Sequence, residues 1–229
     1  MFPTQQLQLC SRDRQPTIQT APGTDPGPLQ VRNMEAQDVD FVAQLLVESF
    51  SDKFEHAVGK SRMEGAVQQT TRMLGRSRDV WHRYLIAVYD GRPAGLIVMK
   101  FHGDTAEEDF QCGEACSYLG CWGTRGLVCL RCCTSMEDIS AGEGYVDRIC
   151  VDANFRGKGI GKMLLDRADF DARRRGCTAI FLWVKQGNRA VHLYERQGYV
   201  ITETANGIFR CFMQCGVGSP DWCKMEKQL

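Results

Sequence analysis

VDANFRGKGIGKMLL, Val151 to Leu165, places Gly157, Gly159 and Gly161 at alternate positions, sets Arg156, Lys158 and Lys162 among them, and then turns apolar. Glycines so close build neither a strand nor a helix by themselves, because each gives up more backbone freedom than any other residue. They stand between two regular patterns. GYVDRICV, ending at Val151, reads as a strand, and the run after the glycines carries Ile160, Leu164, Ala168 and Ala172 on one helical face. That helix ends in Arg173, Arg174, Arg175 and Gly176, and cations with a glycine suit a helix C-terminus. A helix start offers unpaired N–H groups and the positive end of a dipole, and glycines let an anion come close to them. The physical reading is a phosphate site, of a size for a diphosphate. The plainer alternative is a tight strand-to-helix turn with exposed basic residues.

Outward from this stretch the chain alternates strand-like and helix-like segments. Leu29 to Met34 reads as a first strand, and the run that follows spaces Val39, Val42, Leu45 and Leu46 as a helix does. Ser61 to Leu74 reads as a second helix. Tyr84–Tyr89 and Ala94–Phe101 flank DGRP, a hairpin turn signal. Ala179 to Lys185 reads as a buried strand, and Asn188 caps a short helix that stops at Gly198. GIFRCFM, residues 207–213, and WCKMEKQL, residues 222–229, read as a closing pair of strands. This order implies an α/β fold, one mixed sheet with helices packed on it.

Neither common phosphate motif fits the glycines. A Walker loop would need Ser or Thr after Gly161-Lys162, where Met163 stands, and a dinucleotide fingerprint fails in both frames at Lys162 or Leu164. The frame that fits is Arg-x-x-Gly-x-Gly: Arg156, Gly159 and Gly161. It resembles the coenzyme A loop of the GNAT superfamily of N-acetyltransferases. NRAVHLYERQGY, with Asn188 lying 32 residues after Arg156, resembles a later helix of the same family. The element order from Leu29 to Leu229 follows the family apart from one long insertion.

The resemblance implies a mixed central sheet with helices on both faces and a splay between its fourth and fifth strands, here 145–151 and 179–185. The pantetheine arm of acetyl-CoA would pair with backbone at Ile149, Cys150 and Val151. The diphosphate would rest on Gly157, Lys158, Gly159, Ile160, Gly161 and Lys162, with Arg156 and Asn188 alongside. Tyr194 matches the family's general acid, which protonates the leaving sulfur; an ordinary buried tyrosine is the alternative. Polyamine acetyltransferases of the superfamily place an acidic residue where Asp147 stands. Strand alternation puts Asp147 on one face with Tyr145, Ile149 and Val151, and a carboxyl on that partly apolar face would favour its neutral form and suit a base. Pairing with a basic neighbour is the competing role. Many members carry Glu at the position of Tyr145, which leaves the base open, with Glu143 a weaker choice. The base matters because neutralising a lysine-like amine at pH 7 costs roughly 4.6 kcal/mol, against about 1 kcal/mol for an α-amino group.

The implied activity is transfer of an acetyl group from acetyl-CoA to an amine of a small molecule or protein. The alternatives are a catalytically silent acyl-CoA binder and a metal-binding interaction module. The module would centre on the Cys/Gly-rich insert at 101–142, which shows no clear period. Cys129-x-x-Cys132 with Cys112-x3-Cys116 meets no standard zinc pattern, so free thiols in a mobile, lid-like loop are expected and no metal is assigned. Palmitoylation beside Trp122 and Leu127 is a lesser option. Residues 1–28, rich in Pro, Gly and Gln, read as a flexible tail before a domain at 29–229. Lys plus Arg and Asp plus Glu are 28 each, so no overall basic field points to nucleic acid. No apolar run reaches a membrane span and no signal peptide is visible, which places the protein in the cytoplasm. Its 12 cysteines are then expected as thiols or metal ligands rather than a disulfide framework.

Overall fold

The computed structural model describes residues 28–134 and 137–229; the tail assigned to 1–28 falls outside them except for Pro28. Seven strands form one sheet in the order β1-β2-β3-β4-β5-β7-β6. They are β1 (Leu29–Asn33), β2 (Tyr84–Tyr89), β3 (Arg92–Phe101), β4 (Glu143–Val151), β5 (Ala179–Lys185), β6 (Val200–Thr204) and β7 (Trp222–Gln228). The β2–β3 turn has Asp90 and Gly91 at φ 48° and 73°, the left-handed pair that a tight hairpin demands. Every pairing is antiparallel except β4 with β5. That parallel ladder runs only from Glu143↔Ala179 to Val146↔Leu182. Beyond it β4 stays with β3 and β5 stays with β7, so the two strands part and leave a cleft between them.

Helices cover both faces. On one lies α5 (Ile160–Arg174), whose Ile160, Leu164, Leu165, Ala168 and Ala172 are buried against the sheet, with α6 (Ala190–Arg196) beside it. On the other lie α1 (Val39–Ser49) and α3 (Met63–Arg76), over Tyr84, Ile86, Leu96 and Val98. A third apolar cluster joins α2 (Ser51–Val58), α4 (Cys112–Thr134) and α7 (Gly207–Val217).

Three readings of the sequence are corrected here. GIFRCFM is the start of α7, not a strand, and the strand β6 was not anticipated. Phe209, Phe212, Met213 and Val217 join one cluster at helical spacing, a period hidden when only the first seven residues are read. The insert is not a loop. It holds α4, bent at Gly120 (φ 66°), and its buried Ala115, Leu119, Gly123, Leu127 and Leu130 recur at three or four residues. Glycine stands where helices cross closely: a Cβ on Gly126 would lie 1.7 Å from the Ala57 carbonyl oxygen. Composition suggested a loop because these glycines serve contact between helices rather than turns.

The insert is tied to the sheet by charge. Glu108, in the segment before α4, accepts from Arg148 of β4 and Arg131 of α4, each at 2.8 Å, and from the Tyr84 hydroxyl. Burial alone would raise the Glu108 carboxyl, but the two guanidiniums and the hydrogen bonds outweigh it and hold it well below the usual range. Glu108→Gln would leave both arginines without their counter-ion. Breaking a buried pair costs 3–5 kcal/mol, and we expect about 3 kcal/mol, the low end because Arg131 and Arg148 keep 23% and 25% of their side-chain surface. Denaturant unfolding measures it; a loss under about 1 kcal/mol would rank the network with exposed ion pairs.

Candidate active site

The splay opens a cleft of about 890 Å³. It is lined by Asp147, Ile149, Cys150 and Val151 of β4, by the glycine segment, and by Asn188 and Tyr194. Past Val146 no strand among the described residues pairs the β5-facing edge of β4, which leaves that edge open to an extended ligand. Arg156 is exposed and its Nε donates to the Val151 carbonyl at 3.4 Å. Asn188 turns its Oδ1 onto the amide of Ala190 at 2.9 Å and so caps α6.

The three glycines divide their work. Gly157 and Gly159 adopt φ 78° and 79°, and a Cβ at either would meet open space. Gly161 is helical, and its Cβ would lie 2.8 Å from Leu193 Cδ2, so it is small to let α6 approach α5. Among the described residues no backbone carbonyl takes the amides of Gly157 to Lys162. Those free N–H groups at the start of the 15-residue α5 fit a diphosphate in charge and in reach. Lys158 is the one assigned ligand that does not line the cleft; its ammonium lies over the Tyr89 ring, 4.8 Å from the centroid. Lys162 pairs with Asp166 at 2.6 Å.

Tyr194 is buried on α6 among the side chains beneath the cleft. Burial, and after it Cys150, pushes its phenol well above the ordinary 10, so it stays neutral and able to donate. Asp147 sits differently from the simple alternation. Val98 faces Arg148 while Met99 faces Val146, so Asp147 is the extra residue of a β-bulge. The bulge turns Asp147 and Arg148 to the same side. Tyr145, Asp147, Arg148 and Cys150 therefore face α1 and α3, while Ile149 and Val151 face α5. The shared face expected for Asp147 with Ile149 and Val151 is corrected to this extent. Arg148 Nε and Lys100 Nζ approach Asp147 Oδ2 at 3.3 and 3.5 Å, yet among the described residues this buried oxygen has no hydrogen-bond donor. Glu143 accepts from the Ser140 amide at 3.0 Å and does not line the cleft.

Two residues near Asp147 were not read from the sequence. Glu137, where the insert returns to β4, lies close enough to feel the Asp147 charge, and burial raises its carboxyl, with Trp183 and Lys224 offsetting part of this. Lys53 of α2 lies over Phe50 and Trp222, its Nζ 4.4 and 4.5 Å from the ring centroids. Burial lowers its ammonium from 10.5 to about 8, against the pull of Asp52, Cys150 and Asp147. No spacing motif marks either residue, since the fold alone brings them near Asp147. The lowered Lys53 value has a signed consequence. Between pH 8 and 10.5 the unfolded chain holds a proton that the native chain has lost, so stability rises with pH across that window. The rise is at most about 3 kcal/mol, and Lys53→Met should remove it. Unfolding at about pH 7.5 and about pH 10 tests this; equal pH slopes in both proteins would refute the burial of the charge.

Among the described residues no three His, Cys, Asp or Glu side chains gather as a metal site, and no helix is long and apolar enough to cross a membrane.

The sequence model of the acetyltransferase (GNAT) family matches residues 40–199. The chain belongs to that family. The match takes in the sheet from β2 to β5, the glycine segment and Tyr194. The chain is also similar to mycothiol acetyltransferase of Propionibacterium freudenreichii, 45% identical over 67 residues, which are 29% of this chain and 21% of that protein. It thus spans about a fifth of that relative's length. Among solved structures, one described as an acetyltransferase superposes with a TM-score of 0.60 at 24% identity, over 87% of this chain and 98% of the other. The PaiA N-acetyltransferase of Thermoplasma acidophilum, solved with coenzyme A, superposes with a TM-score of 0.54 at 16% identity, over 88% and 99%. These likenesses are of fold.

Proposed function

We propose that the protein is an N-acetyltransferase that moves the acetyl group of acetyl-CoA to an amine. The observation that carries this reading is the cleft itself: the open β4 edge, the free amides of Gly157 to Lys162 and Tyr194 all border one space. Acetyl-CoA is the co-substrate, with pantetheine along Ile149 to Val151 and the diphosphate on the start of α5. The neutral amine attacks the thioester carbon, the new C–N bond forms, and the C–S bond breaks. Asp147 takes the proton the amine sheds, and Tyr194 hydrogen-bonds and protonates the departing sulfur, giving amide and free thiol. A second reading gives the base to Glu137, on the observation that burial raises its carboxyl toward the working range. Thiol release from acetyl-CoA, measured with and without an amine panel, tests the proposal. Amine-dependent release is expected; binding of acetyl-CoA without release for any amine would reduce the protein to a silent acyl-CoA binder.

A further inference from the structure

A second cavity, of about 140 Å³, opens off the cleft beneath α4. Phe50, Lys53, Asp147, Arg148, Trp183 and Trp222 line both spaces, so the two join where the acetyl group would be attacked. Away from the junction Phe54 of α2, Met73 of α3 and Leu127 and Leu130 of α4 supply apolar wall. The insert therefore supplies part of this cavity. Polar side chains interrupt the wall, among them Gln69, Thr70, Glu108, Arg131 and Thr134. Gln69 of α3 is 1% exposed, and among the described residues neither its Nε2 nor its Oε1 has a hydrogen-bond partner. A buried amide left unpaired is costly, so a group that pairs with it is favoured there. At the junction the buried Asp147 Oδ2 has Arg148 and Lys100 near it, at 3.3 and 3.5 Å, but accepts no hydrogen bond from the described residues.

Resting on the acetyl-transfer reading above, we infer that the acceptor is a small primary monoamine built on one aromatic ring that carries a hydroxyl or similar group at its far end. The amine lies at Asp147, the ring fills the apolar cavity, and the far group pairs with Gln69. Size sets one ring, because an apolar cavity of about 150 Å³ holds benzene. Charge excludes a polyamine. Glu108, a carboxylate in the cavity wall, is already held by Arg131, Arg148 and the Tyr84 hydroxyl, and the two guanidiniums with Lys53 repel a second ammonium.

The test compares 4-hydroxyphenethylamine, phenethylamine, spermidine and a peptide N-terminus as acceptors for the full chain, read as kcat/KM. We expect the hydroxylated ring to lead, with phenethylamine lower by about 10² or more, since a site built to pair with a hydroxyl rejects the analogue lacking it. Gln69→Leu should erase that difference while phenethylamine turnover persists. Spermidine or the peptide as the best acceptor, or an unchanged hydroxyl preference in Gln69→Leu, would overturn the inference and leave acetyl transfer standing. Calorimetry of 4-hydroxyphenethylamine with coenzyme A present separates the two claims. Saturable binding that weakens in Gln69→Leu, without thiol release, would uphold the cavity's assignment and overturn the transfer reading. No binding would overturn the assignment whatever other amine is acetylated.

Discussion

Tyr194→Phe should lower kcat by roughly 10²–10⁴, the range for loss of a general acid, while the Michaelis constants move little. The ring and its packing survive the change, and only the hydroxyl goes. Its proton is needed as the sulfur departs, so the loss falls on the transition state and not on ground-state binding. The neutral phenol that burial enforces is the form this role needs. Single-turnover thiol release, measured where chemistry limits the rate, reads the effect. Near wild-type turnover would return Tyr194 to a packing role and leave solvent as the proton donor. The base is tested beside it. Asp147→Asn should depress kcat and weaken the acidic limb of the pH profile, more for an alkyl amine than for an α-amino group. An acidic limb that survives in Asp147→Asn and vanishes in Glu137→Gln would move the role to Glu137.

Gly159→Asp should abolish the thermal stabilisation that acetyl-CoA confers. A ligand of the native state adds about 2.7 kcal/mol at a hundred times its Kd, which for a chain of this size raises Tm by roughly 5–10 °C. At φ 79° an aspartate strains the backbone and sets a carboxylate among the amides that would hold phosphate. A Cβ there meets open space, so the native fold does not clash with it. Each protein is compared with its own ligand-free Tm, which removes the strain from the comparison. Equal shifts in wild type and variant would refute the phosphate site.

How much of this was legible follows from what each signal depends on. The glycine segment was legible because positive φ and free amides are local properties of a strand-to-helix turn. The capped helix at Asn188 and the hairpin at Asp90-Gly91 were legible for the same reason. The helix of the insert carries a genuine period in Ala115, Leu119, Gly123, Leu127 and Leu130, but glycine and cysteine crowd the positions between them. Their place in a helix makes sense only once Ala57 is seen against Gly126, or Cys133 against Gly216. α7 fails for a related reason, since its first seven residues fit a strand as well as a helix and only its contacts with α4 decide.

The chemistry divides along the same line. By itself the sequence determined the α/β order, the glycine segment before α5 and the place of Tyr194 on a helix, all set by contiguous residues. Which of those residues share a face was decided by the tertiary structure. The bulge at Asp147 exists only in the pairing of β4 with β3, and it turns Arg148 toward Glu108, 40 residues away in the chain. Lys53, Gln69 and Glu137 reach Asp147 or the cavity beside it from three separate segments. A pocket's charge and volume are properties of what packs together in space, and no local pattern in the chain encodes them.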